Sequence, residues 1–456
     1  MSTDSPPRTS LQDFIDSAPL SRRQRMIVLL LMIVMLAEGM DYTVIAQIFP
    51  RLIQEWGTPV STITTIVVAS SVTVGIGSIV AGPLAYRLGR KNVVIASVAV
   101  FSVCTAAIGL AQSIEVFMLF RIVSCLGIGA IVVCGMTAVA DLVPKPRRAQ
   151  MMTLAFTGVN LGGIVGGFLA AAIIPKAGWP MLAMVAGAVG LVLIPFIVAV
   201  IPESPQMLIA RGKSPELIRK SLGIVVPGRD SSDVELALPK TETGDKKNLG
   251  ALFVRRLLPQ TMVIWFLYLM VYGVHTIVLQ YLPTLLQQPT PGFTPAQSGL
   301  AFVTLCVGGL IGGVVTSFVL KRADQFFTLA VVFAGVVTFA LVIGLAGFNV
   351  TGYFTVLFLF GMFVFVPGTV IGAIVVQIYP ATLRDPGMGA AMGAGRVGQL
   401  LGGLAGGVMI GAGFGLSGVF IALSLPIILA IATVLGLRGL SRRHQAEDRM
   451  PEHITT

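Results

Sequence analysis

Long apolar stretches separated by short polar ones run through this sequence from end to end. Runs of about 20 apolar residues, the length that carries a helix across roughly 30 Å of hydrocarbon, lie near 26–49, 62–85, 92–112, 115–142, 150–174 and 179–201. A charged stretch from Pro202 to Arg256 interrupts the series. A second set then follows near 257–286, 295–320, 326–347, 351–378, 386–412 and 415–438. The pattern predicts an all-α membrane protein of twelve transmembrane helices. It is organised as an N-terminal tail (1–25), a six-helix half (26–201), a central loop (202–256), a second six-helix half (257–438) and a C-terminal tail (439–456).

The two halves repeat. Sliding the chain on itself lays residues 141–148 (DLVPKPRR) over 377–384 (QIYPATLR), so that Pro144 meets Pro380 and Arg148 meets Arg384. In the same register Gly162, Gly166 and Gly167 meet Gly398, Gly402 and Gly403, while Asn160 meets Arg396. A parallel repeat of two six-helix halves is a transporter architecture in which the substrate site lies between the halves near the bilayer midplane.

Charge adds orientation. Alternating loops hold Arg22, Arg23 and Arg25; Arg87, Arg90 and Lys91; Lys145, Arg147 and Arg148; Lys321 and Arg322; Arg384; Arg442 and Arg443. The opposite loops hold little beyond Arg51 and Lys176. Positive residues stay on the cytoplasmic side of a membrane, so both termini and the central loop are expected there, in a multi-pass protein of the inner membrane. The net charge of +11 is dispersed between apolar runs instead of gathered on one face, which argues against nucleic acid as a partner. Membrane lipid is the expected surrounding and a monomer the expected state. The polar N-terminus is longer than a signal n-region, and the apolar run after it lacks a small-residue cleavage site.

Composition then narrows the chemistry. Hydrophobic residues make up 55% of the chain and charged residues 11%, so each ionisable group at membrane depth stands out as costly and as a functional candidate. The 52 glycines suit helices whose backbones approach closely. Cys104, Cys125, Cys134 and Cys306 lie in apolar segments without metal-ligand spacing and read as small packing residues. The glycine run at 162–167 lacks the Lys-Ser or Lys-Thr of a phosphate loop. No cofactor, metal cluster or catalytic constellation is expected, and an ion gradient is left as the energy source.

Glu38 and Asp41 in the first span are three residues apart, on one helical face. Two carboxylates placed there do not both ionise easily and form a protonatable pair that titrates as a unit; the alternative is a structural anchor at the helix end. Arg121, early in the fourth span, lies at a depth similar to Glu38 by residue rise. It reads either as a bundle lock or as a cation that exchanges a carboxylate partner for a substrate carboxylate. Arg396, about ten residues into the eleventh span, favours an anionic substrate, or pairs with helix-end carbonyls. His275 in the seventh span reads as a proton relay or a satisfied interhelical hydrogen bond. Gln280 follows it, and with Asn160 completes the set of substrate-binding or gating candidates. Tyr268, Tyr272 and Trp265 near His275 are packing residues or a wall for an aromatic ring.

The stretch 82–91 (GPLAYRLGRK) resembles the signature loop of the major facilitator superfamily between its second and third helices. Tyr86 stands where that signature has aspartate. Arg121 with Gly127 and Gly129 is similar to the fourth-helix motif of proton-coupled members. The resemblance implies a gating loop made of Gly82, Arg87, Gly89 and Arg90, with Asp141. Within the superfamily, Glu38-Gly39-Met40-Asp41, the segment 202–208 (PESPQML), the segment 281–286 (YLPTLL) and the segment 395–398 (GRVG) resemble the aromatic acid:proton symporter family. That resemblance implies uptake of benzoate-like or hydroxybenzoate-like anions with protons, with Glu38 and Asp41 serving coupling and Arg121 and Arg396 serving substrate or gating. Carriers of sugars or other organic solutes share the Pro-Glu-Ser-Pro segment. A drug:proton antiporter motif in the fifth helix would want proline at Gly163. A transporter-like sensor is a more remote alternative.

Overall fold

The computed structural model describes residues 9–229, 234–236, 252–254, 257–379 and 383–447, except the side chains of 9, 235, 385 and 437–447. Pro380 of the repeat, much of the central loop, the side chains of Arg442 and Arg443, and the tail beyond 447 lie outside that description.

The elements are almost all helical. In order they are β1 (Thr9–Ser10), α1 (Leu11–Asp16), α2 (Arg22–Trp56), α3 (Val60–Leu88), α4 (Arg90–Ile108), α5 (Ile114–Leu142), α6 (Lys145–Val200), α7 (Pro205–Ala210) and α8 (Pro215–Val225). There follow β2 (Val234–Glu235), α9 (Leu258–Leu286), α10 (Pro295–Val319), α11 (Gln325–Leu345), α12 (Val350–Val364), α13 (Pro367–Ile378), α14 (Arg384–Gly411) and α15 (Leu416–Glu447). Among the described residues ten helices, with α12 and α13 taken together, are long and apolar enough to cross a membrane. One of them, α6, holds two spans of the sequence pattern, and α14 has spanning length although Arg396, Gln399 and its many glycines dilute its apolar character. The twelve-span architecture follows.

Two features of the spans have local causes. The fifth and sixth spans, numbered together as α6 from Lys145, are two helices that meet in a kink at Gly178, where φ 76° and ψ 174° leave the helical region. Only glycine adopts that conformation without a steric cost. The tenth span is broken into α12 and α13, with Pro367 opening α13; proline lacks the N–H that a continuing helix would use.

By compactness the chain divides into two units, 1–45 with 69–244 and 46–68 with 245–456. In the first, α4 packs on α5 and α6. Glycine lets α6 lie directly against α2: a Cβ on Gly158 would overlap the Met32 carbonyl, and one on Gly162 the Leu36 carbonyl. Such backbone contact lets helices associate in lipid, where no hydrophobic force draws them together. The segment read as an N-terminal tail is also packed here. Leu11, Phe14 and Ile15 of α1 are buried, β1 pairs in parallel with β2, and Arg229 lies 5.1 Å over the Phe14 ring.

In the second unit α14 packs on α9, α10 on α12, and α11 on α15. A Cβ on Gly398 would overlap the Leu269 carbonyl, and one on Gly402 the Gly273 carbonyl. Residues 46–68 join this unit through Gln47, whose Nε2 donates to the Ser298 carbonyl at 3.4 Å and whose Oε1 accepts from Ser298 Oγ at 3.2 Å.

Candidate functional site

Three sets of side chains bring chemistry together. The first is buried in the N-terminal unit. Asp41 of α2 is 1% exposed and Arg121 of α5 is 1% exposed. Arg121 Nη1 donates to Asp41 Oδ2 at 2.5 Å. Thr105 of α4, fully buried, donates from Oγ1 to the other carboxylate oxygen at 2.7 Å. Three helices therefore converge on one carboxylate. Phe117, one turn before Arg121 and buried, stands edge-on to Trp179 at 6.2 Å, so the neighbourhood is apolar. In such a setting a lone charge is strongly disfavoured, and the two charges stabilise one another only as a pair.

Depth along the helices placed Glu38 level with Arg121; in the structure the arginine pairs with Asp41, three residues further along α2. Glu38 is half-buried one turn back. Gly39 between them lies against the Val159 backbone of α6. Asn160, the next residue along α6, is half-buried, and among the described residues no hydrogen bond joins it to the Asp41 cluster.

The second set lies at the α3–α4 turn. Arg90 forms an ion pair with Asp141 through Nη1, and the same nitrogen donates to the Thr137 carbonyl at 3.1 Å. Ser204 Oγ donates to Asp141 Oδ2 at 2.5 Å. Glu203 Oε1 accepts from the Arg90 backbone N–H at 2.9 Å, and Arg211 Nη2 donates to the Arg87 carbonyl at 2.9 Å. Gly89 has φ 97°, and a Cβ there would strike the Glu203 carboxylate. Gly82 meets nothing within 4 Å of its Cβ position, and Tyr86 is exposed. Thus Arg87, Gly89, Arg90 and Asp141 are gathered with Glu203 and Ser204, while Gly82 stands apart.

The third set belongs to the C-terminal unit. Tyr268, Tyr272 and His275 recur at helical spacing along α9. The two tyrosine rings stack at 5.9 Å, Tyr272 meets His275 edge-on at 6.4 Å, and His275 meets Phe365 edge-on at 4.9 Å. The glycine contact between α14 and α9 puts Gly395 against Tyr272, 3.0 Å from Cβ position to ring, and so delivers Arg396 beside the tyrosine. Arg396 is exposed and donates from Nη1 to Gln399 at 3.0 Å. Gln280 is 3% exposed, and its Oε1 is enclosed without a hydrogen bond among the described residues. Among the described residues no group of three or more His, Cys, Asp and Glu is placed to hold a metal ion.

Residues 31–372 match the model of the Major Facilitator Superfamily. The chain belongs to this superfamily. Membership makes it a transporter, a multi-pass protein of the inner membrane and not an enzyme. It is similar to the 4-hydroxybenzoate transporter PcaK of Pseudomonas aeruginosa, 29% identical with 95% of this chain and 96% of that protein covered. The gallate transporter of Pseudomonas putida is 29% identical, with 93% and 94% covered. The benzoate transport protein of Acinetobacter baylyi is 25% identical, with 97% and 95% covered. Among solved structures, the xylose transporter XylE from E. coli superimposes with a TM-score of 0.70 at 16% identity, over 91% of this chain and 98% of that one. At that identity the likeness concerns the fold alone.

Thr105, Glu203, Ser204 and Phe365 are members of these sets that the sequence reading did not single out. Glu203 and Ser204 sit in the Pro-Glu-Ser-Pro segment, which was distinctive as a motif but pointed to no partner. Thr105 and Phe365 carry no signal of their own in an apolar run.

Proposed function

We propose that the protein is a secondary carrier that takes up a small aromatic carboxylate together with protons by alternating access, with both termini cytoplasmic. The observation that carries the reading is the buried Asp41–Arg121 pair, braced by Thr105. Support for the substrate class comes from the relatives that carry 4-hydroxybenzoate, gallate and benzoate and from Arg396 beside an aromatic wall in the other unit.

The coupling follows from charge balance. With Asp41 ionised, the pair is neutral. A proton on the Asp41 carboxylate discharges it and leaves Arg121 as a lone buried cation, a costly state. The substrate anion offsets that uncovered charge, so proton and anion stabilise the same state and each favours entry of the other. Only such a difference in affinity between states is needed to drive a conformational cycle. Glu38 is the second protonatable group of the pair. Arg396 is exposed, with one of its five donors engaged by Gln399, and offers the fork that suits a carboxylate bidentately. Gln280 is a further polar group of the substrate unit. The cluster of Arg87, Gly89, Arg90 and Asp141 serves gating.

The test is uptake of labelled benzoate, hydroxybenzoates, a phenylpropionate and a hexose into expressing cells, with and without a protonophore. Aromatic-acid accumulation that collapses with the protonophore is the expected result. Hexose uptake without aromatic-acid uptake would overturn the substrate class.

A further inference from the structure

In the aromatic set of the C-terminal unit, one polar atom takes no part in holding the carboxylate or the proton. His275 Nε2 is enclosed, and no hydrogen-bond partner reaches it among the described residues. Its surroundings are rings: Phe365 edge-on at 4.9 Å and Tyr272 at 6.4 Å. Buried polar groups without a partner are rare, and those that persist call for an explanation such as a ligand. Two neighbours define what kind of ligand. Arg396 is set beside Tyr272 by the Gly395 contact and supplies a cation. Tyr272, stacked on Tyr268, supplies a flat face. His275 follows Tyr272 by three residues on α9, a rise of roughly 4.5 Å, so its imidazole is displaced along the helix from the level of the cation.

We propose that His275 is a specificity-determining residue that reads a ring hydroxyl on the substrate, on the side of the ring opposite the carboxylate. The proposal rests on the aromatic-acid reading. The carboxylate is held by Arg396, the ring lies along Tyr272, and the hydroxyl at position 4 reaches His275 Nε2. An imidazole nitrogen accepts the hydroxyl proton or donates to its oxygen according to the tautomer, and either hydrogen bond satisfies the enclosed atom. A hydroxyl at position 2 stays beside the carboxylate, out of reach of the histidine, and benzoate offers no hydroxyl at all. Sites that hydrogen-bond a substrate hydroxyl discriminate strongly against analogues lacking it, because the polar group of the site is then left unpaired.

The experiment compares initial uptake rates of 4-hydroxybenzoate, 2-hydroxybenzoate and benzoate in wild type, His275→Phe and His275→Gln. His275→Phe keeps a ring against Phe365 but has no polar atom; it is expected to lower kcat/KM for 4-hydroxybenzoate by about tenfold or more, with the other two acids within about twofold. His275→Gln, which restores a polar end, is expected to recover part of the loss for 4-hydroxybenzoate alone. An equal fall for all three acids, or no change for any, would overturn the proposal.

A measurement on the unaltered protein stands beside it. The chain has three histidines, so the His275 imidazole signal in ¹⁵N-histidine-labelled protein is assigned by its loss in His275→Gln. If that variant does not fold, it is the histidine signal slowest to exchange with water. Addition of 4-hydroxybenzoate shifts that signal, and benzoate leaves it in place; a signal unmoved by 4-hydroxybenzoate would contradict the assignment. If wild type takes up none of the three acids, the substrate class itself fails, which is distinguishable from a wild type that transports all three without preference at His275.

Discussion

Asp41 and Arg121 stand 80 residues apart in sequence and form a 2.5 Å ion pair in the interior of the N-terminal unit, with Thr105 donating to the second carboxylate oxygen. A pair of this kind stabilises through its completeness. Removing one member leaves an uncompensated charge, whereas removing both leaves an apolar contact.

Removing only one charge should therefore be the more damaging change. Arg121→Leu is expected to destabilise the folded protein by about 3–5 kcal/mol, read as a lower melting temperature in detergent. The double variant Asp41→Leu with Arg121→Leu should recover most of that loss, while remaining without proton-driven uptake. A double variant as unstable as the single one would show that the pair has no mutual stabilisation.

Thr105→Val keeps the shape of the side chain and deletes its donor. The Asp41 oxygen it serves is then left without that hydrogen bond, at about 1–3 kcal/mol. Uptake should fall, and Thr105→Ser, which keeps the hydroxyl, should restore most of it. Uptake by Thr105→Val equal to wild type would remove Thr105 from the cluster.

Gly89→Ala at the α3–α4 turn meets two obstacles, the positive φ and the Glu203 carboxylate. A cost of about 1–3 kcal/mol is expected from the backbone conformation alone. Ser204→Ala is milder. It removes the hydrogen bond to Asp141 and the cap on α7, where Ser204 Oγ accepts from the Met207 N–H at 3.3 Å, and should cost about 1 kcal/mol. Thermal unfolding of the two variants in detergent checks the order.

Gly162→Val tests the helix contact that holds α2, and with it Asp41, in place. A side chain there overlaps the Leu36 carbonyl, so α2 and α6 must separate. Loss of properly folded protein by size-exclusion chromatography is expected. Gly82→Val meets nothing within 4 Å of its Cβ position and should yield folded protein.

Much of this fold was legible in the sequence because each span carries its own apolar signal, and the repeat at 141–148 and 377–384 sorts the apolar runs into two sets of six. The joins were less legible. The gap at 175–178 between the fifth and sixth apolar runs holds the kink at Gly178, but nothing in an apolar count reveals that Phe365 and Val366 lie where α12 gives way to α13. The charged residues at membrane depth were found by their rarity, but their partners were not. Residue rise resolves depth to about one helical turn, 5.4 Å, and Glu38 and Asp41 differ by less than that. Which of the two faces Arg121 depends on rotation of α2, set by the Gly39, Gly158 and Gly162 contacts with α6. Thr105 and Phe365 become visible only when helices from distant parts of the chain are packed. The N-terminal segment has the polarity of a tail, although Ser10 caps α1 through Asp13 and Leu11, Phe14 and Ile15 form its buried side.

The most direct test of proton-coupled transport uses purified protein in liposomes with an imposed pH gradient, following labelled 4-hydroxybenzoate in wild type and Asp41→Asn. Wild type should accumulate the acid above its outside concentration and lose that accumulation when the gradient is abolished. Asp41→Asn, which keeps the size of the side chain and cannot exchange a proton, should at most equilibrate the acid across the membrane. Gradient-driven accumulation by Asp41→Asn at the wild-type level would contradict the assignment of coupling to the Asp41–Arg121 pair.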